Sequence, residues 1–411
     1  MADIYRNALI TLSAAWAANS RDGLFSSASP EHIDSCLSSI TGRAGDDEIR
    51  IRTPIWHDKA EHHLMSRAWA FQERILSPRI LHFGRHELIW ECGKDIACEC
   101  SALSKWLEPM RFVTWPTLKS SIRFNFIAQK SGPQIGKVWR DAVSDYSTMS
   151  LTFPSDILPA ISGIAKEISK TTNRRYLAGL WIESLPADLC WGVLVTLDSL
   201  ARRPPKWRAP TFSWASVISQ SGVDYGLLAQ SGLTADSWDS DITLLARQHF
   251  ELIEAGATLA GADPTGQVID GYLLLRCTLV EAKVQVSPLP YRGWEVTLSA
   301  TDDRQGIWYF PDYDYNVEGR HHVESGDAVY CFKVLSLPAN ADMEEAGEAI
   351  YLVLRRTKDD ETSERMADTD EVAVKTYERI GLLRDWENGD LFSKAQTAGT
   401  TILEDVVIKI V

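Results

Sequence analysis

Between Arg67 and Cys92 the chain reads RAWAFQERILSPRILHFGRHELIWEC, a run dense in side chains that can move protons or polarise a carbonyl. Arg67, Gln72, Glu73, Arg74, Arg79, His82, Arg85 and His86 alternate there with Trp69, Phe71, Ile75, Leu76, Ile80, Leu81, Phe83 and Trp90. The apolar set is too large for a solvated face and the polar set too large for a plain core. Polar groups in such surroundings need partners. Arg67, Gln72, Arg74 and His82 are candidate donors that could polarise a substrate carbonyl, and Glu73 is a candidate catalytic acid residue beside them. Trp69 and Phe71 from the same run, with Trp139, Tyr146 and Trp214 further on, are candidate walls of an apolar substrate pocket. The alternative is structural: Arg67 and Glu73 pair and brace the fold.

Other groupings carry less chemistry. Cys92, Cys98 and Cys100 follow His82 and His86, but their spacing lacks the C-x2-C knuckle of common zinc sites, so no metal is assigned. His62-His63 and His321-His322 are adjacent pairs without the spacing that puts two ligands on one helix face. Glu61-His62-His63 reads as an exposed polar turn. Asp312, Asp314 and Glu318 lack the EF-hand pattern. Asp141 and Asp145, one helical turn apart, read as a solvated pair. The chain has no glycine-rich phosphate loop and no G-x-S-x-G elbow, and no cofactor is expected.

These residues must be held by local elements. Ile4, Ala8 and Leu9 have helical spacing, and Thr11 to Trp16 reads as a short buried strand. Residues 19–48 have loop composition, and Ile49 to Trp56 alternates as a half-buried strand does. The run around Leu64 to Leu76 is a helix ended by Ser77-Pro78, because the residue before proline disfavours the helical region. RILHFG and ELIWEC form a strand pair turning at Gly84-Arg85-His86. Residues 101–136 are irregular. Val138 to Ser150 is helical, Phe153 to Asp156 is a helix-start signal for ILPAISGIAKEIS, and Leu185 to Val195 is helical again. Arg202 to Pro210 is a proline-rich solvated loop carrying Arg202, Arg203, Lys206 and Arg208, and Phe212 to Val217 re-enters as a strand. From about Gly266 the texture is β-type, in six runs that suggest an antiparallel sandwich or barrel. Loops at Asp312–Asp314 and at the acidic Asp359–Asp370 interrupt it. The boundaries fall near 135 and 265.

The whole chain has 411 residues, a formal net charge of −14 and 45% hydrophobic residues. That balance is ordinary for a globular protein and argues against a general nucleic-acid binder. The expectation is a cytosolic chain: no apolar run is long enough to span a bilayer, and the first residues lack a basic leader. Seven cysteines fit reduced thiols, and fifteen tryptophans fit a core or a ligand pocket.

Four segments together resemble the fungal heterokaryon-incompatibility (HET) domain family. IYRNALITLSAAW followed by DGLF is similar to its second block, and RAWAFQERILSPRILHFGRHELIWEC to its third, the R-x-W-x-x-Q-E segment. The stretches from Trp139 to Ile168 and Tyr176 to Trp191, then PTFSWASV, resemble the region that follows in long members. YERIGLL (Tyr377 to Leu383) resembles their usual ending. The family's opening strands and acidic helix have no counterpart, so a shortened N-terminus is expected. The resemblance implies an α+β chain: a truncated TIR-like α/β remnant (1–135), a helical region (136–265), and a mostly antiparallel β sandwich or barrel (266–411). It puts NAD cleavage in doubt, because the glutamate of NAD-cleaving TIR proteins sits on the unmatched helix. The function expected is a cofactor-independent cyclase of fungal natural-product chemistry, of the intramolecular Diels–Alder type, acting on an apolar terpenoid or polyketide-like substrate. The alternatives are an incompatibility protein that cleaves or binds NAD, and a non-catalytic interaction module.

Overall fold

The structure is a computed structural model. It describes residues 2–33, 36–38, 49–51, 53–55, 57, 62–101, 103, 132–193, 201–226, 246–287, 293–298, 307–337, 348–357, 374–385 and 391–411. The acidic 359–370 loop and most of 101–131 lie outside these. The chain divides into two compact units, one of Met1–Phe126 with Met149–Leu151, the other of Ile127–Thr148 with Thr152–Val411. The expected middle and C-terminal regions therefore share one unit.

In the first unit α1 (Ala2–Arg6) leads to β1 (Thr11–Ser13). After α2 (Pro30–Ile33) come β2 (Cys36–Ser38) and β3 (Ile49–Ile51), paired antiparallel. A 3-10 turn at His63–Ser66 runs into α3 (Ala68–Leu76). Ser77 ends α3: it is extended ahead of Pro78, and its amide and hydroxyl both donate to the Glu73 carbonyl. Then β4 (Arg79–Phe83), β5 (Leu88–Cys92) and β6 (Ile96–Cys98) build a sheet of order β1-β4-β5-β6. β1 runs parallel to β4 and the other pairs are antiparallel. The turn expected at Gly84 is present. Its amide donates to the Glu87 carbonyl, and a Cβ there would lie 2.8 Å from that oxygen, so only glycine fits without a shift. Burial alternates along β4 and β5, which turns Ile80, His82, Ile89 and Glu91 to one face.

The second unit begins with α4 (Gly132–Ser147), whose Ile135, Val138, Trp139, Ala142, Val143 and Tyr146 form one buried stripe. The helix-start signal at Phe153–Asp156 opens two short 3-10 turns instead, and α5 (Ser162–Thr172) begins later without a side-chain cap. Asn173, at φ 55°, closes it in the left-handed region. β7 (Tyr176–Leu177) and β8 (Leu180–Trp181) make a tight hairpin. The helix expected over 185–195 is only α6 (Leu185–Asp188), followed by β9 (Gly192–Val193), which pairs with β10 (Val223–Asp224). The expected strand at Phe212–Val217 is a 3-10 turn, Trp214–Ser216, because the Ser213 hydroxyl caps it by accepting from the Ala215 amide.

The β-type texture starts earlier than residue 266. β11 (Arg247–Gln248) and β12 (Glu251–Leu259) precede β13 (Val268–Val286), β14 (Trp294–Thr297), β15 (Ile307–Pro311), β16 (Ala328–Leu337), β17 (Glu348–Arg356), β18 (Lys375–Asp385) and β19 (Ile402–Ile410), with α7 (Leu391–Ala398) between the last two. All nine strands join one sheet. Its pairings run in a ring, β16-β17-β18-β19-β13 and back to β16, because long β13 serves β19 with its first half and β16 with its second. Among the described strands of this sheet only β18 and β19 pair in parallel. The YERIGLL segment lies in β18, fully inside. There Arg379 is buried and pairs with Asp312 through two hydrogen bonds of 3.0 and 3.1 Å. Its remaining N–H groups reach the carbonyls of Leu189 and Trp191, and its cation lies 3.5 Å from the centroid of the Trp191 ring.

Candidate functional site

The Arg67–Cys92 stretch becomes α3 and the β4–β5 hairpin, and its polar groups are closed on one another. Arg74, on the buried side of α3, makes a bidentate pair with Glu91: Nε to Oε2 is 2.8 Å and Nη2 to Oε1 is 2.6 Å. His82 Nε2 meets the same carboxylate at 2.9 Å. All three side chains are within 5% of full burial. The β4–β5 register sets His82 opposite Ile89 and Ile80 opposite Glu91, so His82 and Glu91 meet diagonally. Of the other residues singled out there, Phe71 and Gln72 are buried, Trp69 is half-buried, and Arg67 is exposed. Glu73 is half-buried beside the Tyr5 hydroxyl, whose pKa rises to about 12 through burial and this neighbour. Glu91, the hub of the cluster, was not among the expected residues. The signal was present: it lies two residues from Ile89 in an alternating strand.

A second polar cluster lies on the same face, at the other end of β5. His57 Nε2 is 2.6 Å from Glu87 Oε1 and 3.7 Å from Cys100 Sγ. Cys100 Sγ is 3.3 Å from Glu87 Oε1 and 3.3 Å from Cys98 Sγ. The Cys100 amide donates to Glu87 Oε2 at 2.7 Å, and the Leu103 amide points at Cys98 Sγ. Burial pulls His57 down, but hydrogen bonds with Cys98 and Glu87 outweigh it and lift the imidazole to about 9. Burial would raise Glu87, yet His57 and the Cys100 amide hold it below the usual carboxylate value. Cys98 and Cys100 thus come together with His57 and Glu87, while Cys92, His82 and His86 are not in this cluster. His62 also departs from expectation, since it is buried rather than in an exposed turn.

In the second unit Trp139, Tyr146 and Trp214 are core residues. Both indoles donate to one acceptor, the Gly179 carbonyl, each at 2.9 Å, and the Tyr146 hydroxyl donates to the Ile157 carbonyl. Gly179 sits at φ +100° in the β7–β8 turn, and a Cβ there would lie 2.7 Å from Trp214 Nε1. These rings pin a hairpin and do not line the cleft described next. Asp141 pairs with Lys137 at the surface, one turn away.

That cleft, of about 570 Å³, is lined by Arg202, Arg203, Trp207, Tyr313, Arg320 and His321 among others. The arginine-rich loop before it was expected to be solvated. Instead the Arg203 and Arg208 side chains are buried. Arg208 donates to the carbonyls of Ala215 and Val217 at 2.6 Å and to that of Pro154 at 3.4 Å, and burial lowers its pKa to about 10. Arg203 donates to the carbonyls of Ser216 and Arg379, and its guanidinium stands 4.9 Å from the centroid of the Tyr313 ring. Asp312 lies 3.9 Å from it, already engaged by Arg379. Arg203 Nε and the Tyr313 hydroxyl are buried polar atoms that have no hydrogen-bond partner. Glu378 is held below its usual pKa against its own burial by Arg355, Arg320 and Arg203. His321 is lowered to about 4 by burial and by Arg203, so it is a neutral imidazole near neutral pH. The walls are Pro204, Pro205, Trp207 and Val317. Residues from 202–208, 313–321 and 378 meet here, which no local pattern announces.

No family model, no characterised protein and no solved structure matches this chain. Among the described residues no helix is long and apolar enough to cross a membrane.

Proposed function

We propose that this protein is a cofactor-independent small-molecule enzyme that takes an apolar substrate bearing a carbonyl or carboxylate into the arginine-lined cleft of the second unit. The observation that carries this reading is the pairing of apolar walls with buried Arg203 and Arg208, whose hydrogen bonds go to neutral carbonyls, beside Arg320, which pairs with Glu378 at 3.1 Å. An apolar terpenoid or polyketide-like chain would fold against Trp207 and the two prolines. Its oxygen would face the field of Arg203 and Arg320. Ring closure of the intramolecular Diels–Alder type asks little more of a protein. Holding diene and dienophile in contact can remove up to roughly 7–11 kcal/mol of barrier. A positioned donor on the carbonyl lowers it further. Neutral His321 adds a hydrogen-bond partner that leaves the site's charge unchanged. In this reading the ring of strands is a small barrel that carries the cleft. The first unit in this reading is related to the TIR-like part of HET-type chains, with the Glu91 cluster as its brace.

The test is incubation of the protein with linear polyene substrates carrying an activated dienophile, in acid and methyl-ester forms. The expected result is cyclised product above the buffer rate, with the acid preferred and the gain reduced in Arg320→Ala. No gain over buffer for any substrate sinks the reading. Release of nicotinamide from NAD that depends on Glu73 would move the function to the first unit.

A further inference from the structure

The cluster at the start of β5 has the composition and spacing of a metal centre. We propose that His57, Glu87, Cys98 and Cys100 form a closed, four-ligand zinc site. The ligand atoms of these four residues all lie within 4.8 Å of one another. A tetrahedral zinc, with sulfur at about 2.3 Å and nitrogen or oxygen at about 2.0–2.2 Å, sets neighbouring ligand atoms roughly 3.3–3.8 Å apart. The Cys98–Cys100, Cys100–Glu87 and Cys100–His57 separations are 3.3, 3.3 and 3.7 Å. His57 and Glu87, at 2.6 Å, are closer, as two groups sharing a proton would be. The metal would take that proton's place and part them.

Two competing readings fit the geometry less well. In a nucleophilic Cys–His–Glu relay the thiol and the carboxylate use different ring nitrogens. Here Glu87 and Cys100 both approach His57 Nε2, so these two groups converge on one ring nitrogen rather than flanking the ring. The two cysteines are free rather than joined. Two sulfurs, an imidazole and a carboxylate suit zinc and disfavour calcium and magnesium, which take oxygen ligands. The surroundings are already arranged as an outer shell. The Cys100 amide fixes the second oxygen of Glu87, and the Leu103 amide points at Cys98 Sγ. Four protein ligands leave no open position, so the role is structural. The ion would tie the segment at residue 57 to the β5–β6 hairpin, beside the small core of Ala15, Met65, Ile89 and Leu103.

The experiment uses the full chain, purified, stripped by a chelator and reloaded with Zn²⁺ or Co²⁺ alone. The proposal expects one zinc per chain by elemental analysis, and a thiolate-to-cobalt charge-transfer band with tetrahedral ligand-field bands for the cobalt form. Cys98→Ser and Cys100→Ser should lose the charge-transfer intensity stepwise, while Cys92→Ser keeps it whole. The reloaded protein should melt above the stripped one. Because the cobalt spectrum is read on the unmutated chain, a variant that fails to fold does not blunt the test. A cobalt spectrum without thiolate bands, an octahedral spectrum, a stoichiometry unaffected by both serine variants, or peptide mapping that finds Cys98 joined to Cys100 in the purified chain would overturn it.

Discussion

Arg74 in the first unit and Arg208 in the second are both buried guanidinium groups, and they are satisfied in opposite ways. Arg74 spans both oxygens of Glu91, and His82 takes up what is left of that carboxylate. Arg208 gives its N–H groups to main-chain carbonyls. A carboxylate neutralises the charge where it stands, so the Glu91 cluster is a brace with little field beyond itself. Carbonyls satisfy the donors and leave the guanidinium charge in place, so an anionic or carbonyl oxygen can use Arg203 and Arg208 in a cleft whose lining also holds Asp314, Glu318 and Glu378. The richest polar stretch of the sequence is therefore the closed one, and the modest proline-rich loop is the open one.

The sharpest way to break this contrast is Arg74→Met. It should cost about 3–5 kcal/mol by urea unfolding, because it takes the bidentate guanidinium partner from a buried carboxylate. A loss no larger than that of a surface substitution would remove the brace. Arg208→Met should cost less, about 1–3 kcal/mol, since it leaves neutral carbonyls rather than a charge without partners. It should also weaken binding of apolar carboxylic acids, measured by calorimetry, whereas a folded Arg74 variant should not. Acid should separate the two regions next. His321 has a folded pKa of about 4, below its ordinary 6.5. The unfolded chain therefore binds the extra proton first. The stability that His321 contributes is present above pH 6.5 and is lost as pH falls toward 4. His321→Gln should flatten that part of a melting-temperature profile, and an unchanged profile would place the imidazole in solvent. Arg320→Ala is the smallest effect. Its side chain is 64% exposed, so stability should move by no more than about 0.5 kcal/mol while acid binding in the cleft still weakens.

The hairpin of Arg79–Cys92 was legible because alternation, Gly84 and Ser77-Pro78 are local signals. The stripe of α4 was legible for the same reason. What escaped is what depends on distance. A glutamate in a strand reads as solvated until its partner is known, and the partner of Glu91 lies on a helix seventeen positions earlier. His57 comes to Cys100 from 43 residues away, across an intervening helix and hairpin. Phe212–Val217 looked like a strand by composition, but the Ser213 hydroxyl competes for the backbone and turns it. Trp139 and Trp214 looked like pocket walls because an indole suits a pocket and a core equally. Only the shared Gly179 carbonyl decides between them.

Arg379 sets how the second unit comes apart. Its guanidinium joins β18 to Asp312, 67 positions earlier, and to the Leu189 carbonyl, 190 positions earlier. Peeling the 185–193 segment away would take two carbonyl acceptors from Arg379 and leave it half-partnered inside the sheet. That penalty couples the helical segment to the strands, so they should melt in a single cooperative transition. Protease nicks in the exposed loops should then leave the fragments associated, and no β-rich fragment should persist by itself.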